Sequence, residues 1–166
     1  HNMIKLGETL TADDAIQALY VFNSNPAATA PNQNKVLAGL ARDDLFVVVH
    51  ELFMSDTAKS ANLVLPACTQ AEQWDLHRSY WHDYAQINNP AIEPQGEARS
   101  NHWVFGQIAQ AMGFDEPCFR ESEEDTLRGL LAGTGLDFDA LAAGPVSCMP
   151  VDETSFADRK FPTPSG

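Results

Sequence analysis

Short polar clusters at the ends of apolar runs carry the groups in this sequence that could do chemistry: Asn23-Ser24-Asn25, His50-Glu51, and Ser55 with Thr57. The carboxamides of Asn23 and Asn25 can donate N–H groups to a pyrophosphate or a purine. The Glu51 carboxylate can accept hydrogen bonds from ribose hydroxyls. Ser55 and Thr57, at a helix start, can hold an anion through hydroxyls and backbone amides. These are nucleotide-holding groups, although the ends of strands call for polar turn residues in any case. Catalytic groupings are harder to find. Glu72 and Asp75 are a conceivable acid and base, but carboxylates three residues apart near a loop are ordinarily solvated. His77, His82 and His102, with Cys68, do not fall at a zinc spacing, and no GxSxG, HExxH, P-loop or GxGxxG occurs. Neither a catalytic residue nor a metal ligand is expected from this chain.

The elements that must position those clusters read as alternating strands and helices. Leu19–Phe22 is a short apolar strand that runs into the turn formers of residues 23–26. Val36, Leu37 and Leu40 recur at helical spacing up to Arg42, and the β-branched run Leu45–Val49 follows. Ser55 or Asp56 can cap a short helix reaching Ala61, and Leu63–Leu65 supplies a third strand before Pro66. Such β-α-β units predict an α/β fold, a Rossmann-like three-layer domain with a mostly parallel sheet, in which ligands bind beyond the carboxyl ends of the strands. Residues 23–25, 50–51 and 66–69 would then share one rim. Further on, Ser79–Ile87 reads as a strand rich in Tyr and Trp, and 90–96 as a loop. A helix from Ser100 places Val104, Ile108 and Ala111 on one face and closes at Gly113. Another starts at Ser122, with Glu123, Glu124 and Asp125 in its first turn and Leu127, Leu130 and Leu131 inside. From Gly144 the sequence turns irregular, and its "KFPTPSG" ending has the composition of a connector. The expected division is a cofactor-binding α/β domain over 1–115 and a helical, irregular extension over 116–166.

Composition narrows the class. With 23 acids against 10 bases, the formal charge of −13 repels a phosphate backbone and argues against nucleic acid or an anionic membrane surface as a partner. No apolar run approaches the roughly 20 residues of a membrane span, so no direct membrane insertion is expected. Cys68, Cys118 and Cys148 form neither a disulfide framework nor a CxxC motif, which mildly favours a reducing, cytoplasmic setting over the periplasm.

The segments "VFNSNPAATAPNQNKVLAGL", "DLFVVVHELFMSDTAKSANLVLPACTQAEQ", "DYAQINNPAIEPQGEARSNHWVFGQIAQAMGF" and "FPTPSG" resemble, in order, the molybdopterin oxidoreductases of the dimethyl sulfoxide reductase superfamily. The combination of xNPxxxxP, DTAxxAxxVLP and PxGEAxSN carries the resemblance. It implies one part of a much larger enzyme that holds two molybdopterin guanine dinucleotides around one molybdenum or tungsten. This chain would be the third, α/β domain, holding one dinucleotide arm and leading into a β-barrel domain. The metal ligand, and in many members an iron–sulfur cluster, would come from other domains of the same polypeptide. Electron-transfer subunits and a small-molecule substrate are the further partners implied, and the piece alone would be inactive.

Carried onto this sequence, the resemblance places Asn23, Ser24 and Asn25 in a loop that contacts the dinucleotide, and His50 with Glu51 at its guanosine part. Gln73 stands where some relatives have a cofactor-contacting lysine. Asn101 stands where a carboxylate that binds guanine is usual, and Asn62 replaces a usual Asp as a turn residue. A stand-alone nucleotide-binding or interaction module without redox activity is the alternative.

Overall fold

The computed structural model describes residues 2–12, 16–144, 156–157 and 159–164, and the backbone of 147–148. A 3-10 turn, Met3–Lys5, leads into α1 (Leu6–Leu10), followed by β1 (Ala18–Phe22), α2 (Pro26–Thr29) and α3 (Gln33–Leu40). Then come β2 (Phe46–Glu51), α4 (Asp56–Lys59) and β3 (Leu63–Pro66). The three strands form a parallel sheet in the order β1-β2-β3, with Phe22 level with His50 and Glu51 level with Pro66. Their carboxyl ends therefore share a rim, as the alternating pattern predicts.

The β-branched run Val47–Val49 suits a pleated, buried surface, and alternation decides which helices cover it. Val21, Val47 and Val49 are buried with Leu10 of α1, Val36 and Leu40 of α3, and the small residues Ala27 and Ala58 of α2 and α4. Tyr20 and Phe22, on the opposite face of β1, meet Phe105 of α5 (Asn101–Ala111) at ring-centroid separations of 5.3 and 4.9 Å. The sheet is thus covered on both faces. Close approach of α1 to α3 depends on Gly7 and Gly39: a Cβ on Gly39 would overlap that of Leu10, and one on Gly7 would lie 2.8 Å from Lys35 Cβ.

Asn62 shows how the third strand is registered. Its Oδ1 accepts from Val47 N–H at 2.7 Å and its own N–H donates to the Val47 carbonyl at 2.9 Å, so the side chain extends the ladder one step before β3 begins. Ser55 settles the start of α4, its hydroxyl accepting from Ala58 N–H.

The region after β3 differs from the sequence expectation. Instead of one strand over 79–87 there is an antiparallel hairpin of β4 (Asp75–Arg78) and β5 (Tyr84–Asn88). Tyr80 and Trp81 lie in the connection and are fully exposed, so their aromatic character mimics a strand signal without a buried face behind it. On this sheet pack α6 (Glu123–Leu131) and α7 (Phe138–Ala143), and β6 (Ser147–Cys148) pairs with β5. Ile87, Leu127, Leu131, Phe138 and Leu141 form a second core, with Trp74 tilted on Phe138 at 5.5 Å. Leu130, expected inside α6, is exposed, and Ala111 of α5 likewise; Ala109 is buried in its place beside Val104. The helix start expected at Ser122 is observed, and Ser122 and Asp125 form a capping box there. Much of the irregular segment expected after Gly144 lies outside the described residues. No helix among those described is long and apolar enough to cross a membrane.

Candidate functional site

The rim of the parallel sheet begins with the chain leaving β1. Asn23 adopts a left-handed conformation, φ 50°, which Asn tolerates better than most residues, and this turns the chain sharply at the end of the strand. Ser24 is exposed and its hydroxyl makes no hydrogen bond among the described residues. Asn25 is committed inward: its Oδ1 accepts from the Thr57 hydroxyl at 2.7 Å and from Thr57 N–H at 3.1 Å, while Thr57 Oγ1 accepts from Ala27 N–H at 3.0 Å. Thr57 is fully buried, so its hydroxyl braces the loop and is not available to an anion, contrary to the sequence expectation. Pro26 follows at the first helical position of α2, where its missing N–H costs nothing.

At the end of β2 the two expected residues divide their roles. His50 is fully buried, and its Nε2 lies 3.0 Å from the Arg99 carbonyl. It reaches the backbone that starts α5 and has no exposed surface to offer a ligand. Its Nδ1 is buried without a partner among the described residues. Glu51 is half-buried; one oxygen accepts from Leu52 N–H at 2.7 Å, and the other has no partner among the described residues.

The segment before α5 completes the rim. Arg99 N–H donates to the Pro66 carbonyl and Cys68 N–H to the Arg99 carbonyl, extending β3 by a parallel bridge. Ser100 then caps α5, accepting from Trp103 N–H, and Asn101 is its first residue. From there Asn101 Nδ2 donates to Asn23 Oδ1 at 3.2 Å, across 78 positions of sequence. Asn101 Oδ1, beside the turn of β1, is buried and has no hydrogen-bond partner among the described residues. The structure therefore brings Asn23, Ser24, Asn25, His50, Glu51 and Asn101 to one rim. Gln73 stands apart, in the β3–β4 connection, where its carbonyl accepts from Asn88 Nδ2.

Two residues read as bland in the sequence prove structural. Glu72 is buried, with Oε2 accepting from Thr69 N–H and Oε1 from Gln95 N–H, each at 2.6 Å. These bonds, the Thr69 amide first, hold its carboxyl below the usual glutamate range. It is thus neither solvated nor paired with Asp75, which accepts from Leu76 N–H. The capping pattern of Thr69 with Glu72 is visible in the sequence; the tie to Gln95 is not. Arg99 was also unmarked, because it acts through its backbone.

A separate cavity of about 640 Å³ lies between the start of α5, residues 119–124 and the loop from Cys68 to Trp74. Of the residues expected on the rim, only Cys68 lines it. Burial, with Glu72 and Glu123 nearby, pushes the Cys68 thiol up, the wrong direction for a nucleophilic thiolate. Among the described residues no group of His, Cys, Asp and Glu could hold a metal ion.

Comparison with known proteins agrees with this architecture. Residues 2–111 match the family model described as molybdopterin oxidoreductase. A probable oxidoreductase, YoaE of Bacillus subtilis (strain 168), is 40% identical over 99% of this chain and 25% of its own length. A nitrate reductase of Symbiobacterium thermophilum is 33% identical over 63% of this chain and 13% of its own length. In fold, the chain is similar to acetylene hydratase from Pelobacter acetylenicus, with a TM-score of 0.74 at 22% identity, covering 88% of this chain and 20% of that one. The chain spans at most about a quarter of the length of these proteins.

Proposed function

Because the chain belongs to the molybdopterin oxidoreductase family, we propose that it is the α/β part of a larger molybdenum or tungsten enzyme and that its parallel-sheet rim holds one molybdopterin guanine dinucleotide arm. The observation that carries this reading is the convergence of the β1 turn, the end of β2 and the start of α5. It puts the free oxygen of Glu51 and the unpartnered Oδ1 of Asn101 on the same rim.

These groups fit a nucleotide. Glu51 accepts from sugar hydroxyls, and the Asn101 carboxamide, once turned outward from its contact with Asn23, accepts one N–H of a base through Oδ1. A carboxylate would accept two, so Asn101 gives a weaker grip on guanine and leaves more of the binding to the rest of the cradle. Asn25 and Thr57 fix the turn, and His50 fixes the Arg99–Asn101 backbone, so both act by positioning. Gln73, away from this group, is assigned to a later part of the same arm. When bound, the cofactor supplies the redox centre; this chain holds and orients it, and moves no proton or electron itself. The whole enzyme exchanges electrons or an oxygen atom with a small substrate, with electron-transfer subunits as partners.

Metal and pterin analysis of the full-length polypeptide, produced with molybdenum and with tungsten available, tests the reading. Two guanine dinucleotides per metal are expected, with a lower nucleotide content in Glu51→Gln. A folded full-length protein carrying neither metal nor pterin would replace this reading with that of a redox-inactive nucleotide-binding or interaction module.

A further inference from the structure

The parallel sheet has unequal edges. On one side, β3 is continued by the Ala67–Arg99 bridge and the bonds from Arg99 N–H and Cys68 N–H. On the other, β1 pairs with β2 alone among the described residues. The Phe46 N–H donates to the Gln17 carbonyl, and in a parallel ladder the same strand residues turn both N–H and C=O to one neighbour, alternating along the chain. Leu19 and Val21 therefore face β2, and Ala18, Tyr20 and Phe22 turn their backbone groups outward.

Nothing in this strand protects an open edge. Its sequence, Ala-Leu-Tyr-Val-Phe, has no charge, no proline and no bulge, the devices by which natural edges avoid further pairing. Beside it runs an apolar groove of about 400 Å³, lined by Met3, Ile4, Tyr20, Phe22, Ser24 and Pro26 among others. Met3 and Ile4 are 80% and 66% exposed on its wall. On the same strand, the Tyr20 hydroxyl is buried without a hydrogen-bond partner among the described residues.

We propose that the outer edge of β1 accepts a further, parallel strand from the same polypeptide, from a part lying outside these 166 residues, with apolar side chains that fill the groove by Met3 and Ile4. The occupant is assigned to the same chain because the relatives are at least four times as long as the matched segment, which supplies ample sequence for it. A second copy is the less suitable partner, since two chains of charge −13 repel at close approach. The proposal rests on the reading of this chain as part of a larger enzyme.

Residue-resolved hydrogen exchange on the purified full-length polypeptide tests it, with a built-in reference. Leu19 and Val21 amides are bonded to β2 and exchange slowly whatever lies outside. The amides of Ala18, Tyr20 and Phe22 should be slowed as well, by at least about a hundredfold relative to unstructured amides. An alternating pattern, with Leu19 and Val21 slow and the other three fast, would overturn the proposal. So would protection that disappears on dilution, which would assign the edge to a second copy. Photo-cross-linking from Ile4→p-benzoylphenylalanine, on the exposed wall of the groove, identifies the neighbour: a peptide outside residues 1–166 of the same molecule is expected, and products only from within them or from another molecule count against it. The exchange pattern is independent of cofactor loading, so a protected edge in protein lacking pterin keeps this inference while removing the functional one.

Discussion

At the residue scale, the site is held by groups that touch backbone rather than ligand. Thr57 is the clearest: one buried hydroxyl gives to Asn25 Oδ1 and takes from Ala27 N–H. Thr57→Val keeps the shape and strands both partners, so it should cost about 1–3 kcal/mol in chemical denaturation of the full-length protein and lower its nucleotide content. Thr57→Ser, which keeps the hydroxyl, should recover most of both. Glu72 makes a pH-dependent prediction. Its carboxyl is depressed by the Thr69 and Gln95 amides, so the folded state favours the ionised form. That stabilisation is complete above the unfolded value of roughly 4.3 and is lost as pH falls through the lower, folded value. Glu72→Gln should therefore lower Tm by several degrees at neutral pH, with the gap to the unmodified protein closing in acid. An equal gap at every pH would show that packing, not charge, is what Glu72 supplies.

At the element scale, the sheet rim was legible because each strand announces itself twice, by an apolar β-branched run and by the turn residues that end it. Asn23–Asn25 after β1 and His50-Glu51 at the end of β2 follow from that pattern alone, and parallel topology places them together. What stayed hidden were the long-range ties. Nothing local marks Asn101 as the neighbour of Asn23, and the resemblance supplied that residue where periodicity could not. His50 read as a ligand group because its burial depends on α5 arriving over it. The β4–β5 hairpin was missed because Tyr80 and Trp81 carry strand-like side chains in a connection that has no face to bury them against. Helix packing gives a sharper test. Gly39 faces Leu10 where α3 crosses α1, with no room for a Cβ. Gly39→Ala raises intrinsic helix propensity by up to about 1 kcal/mol yet should destabilise by about 1–3 kcal/mol through overpacking. Gly129→Ala, in open space on α6, should stabilise instead. Comparing the two in urea separates propensity from packing.

At the scale of the whole molecule, acidic charge and exposed apolar surface point in different directions. A chain of charge −13 is well solvated, yet Leu52, Phe53 and Met54, immediately after Glu51 on the rim, are 44%, 77% and 59% exposed. Contiguous exposed apolar side chains of this kind mark surface that another body covers. Relatives that share this architecture run to at least four times the matched length, and the rest of such a polypeptide is the nearest source of cover. Met54 reports on it directly, because peroxide converts an accessible thioether to the sulfoxide and spares a covered one. If the rest of a larger polypeptide closes over the 52–54 loop, Met54 should oxidise many-fold more slowly in the folded full-length protein than in the same polypeptide unfolded in urea. Met54→Leu serves as the control for assigning the signal and should leave stability nearly unchanged, because the two side chains are close in volume. Equal oxidation rates in folded and unfolded protein would mean that the loop stays in water. The rim would then be open to solvent beside Glu51, and a dinucleotide arm would have to be held without an apolar wall on that side.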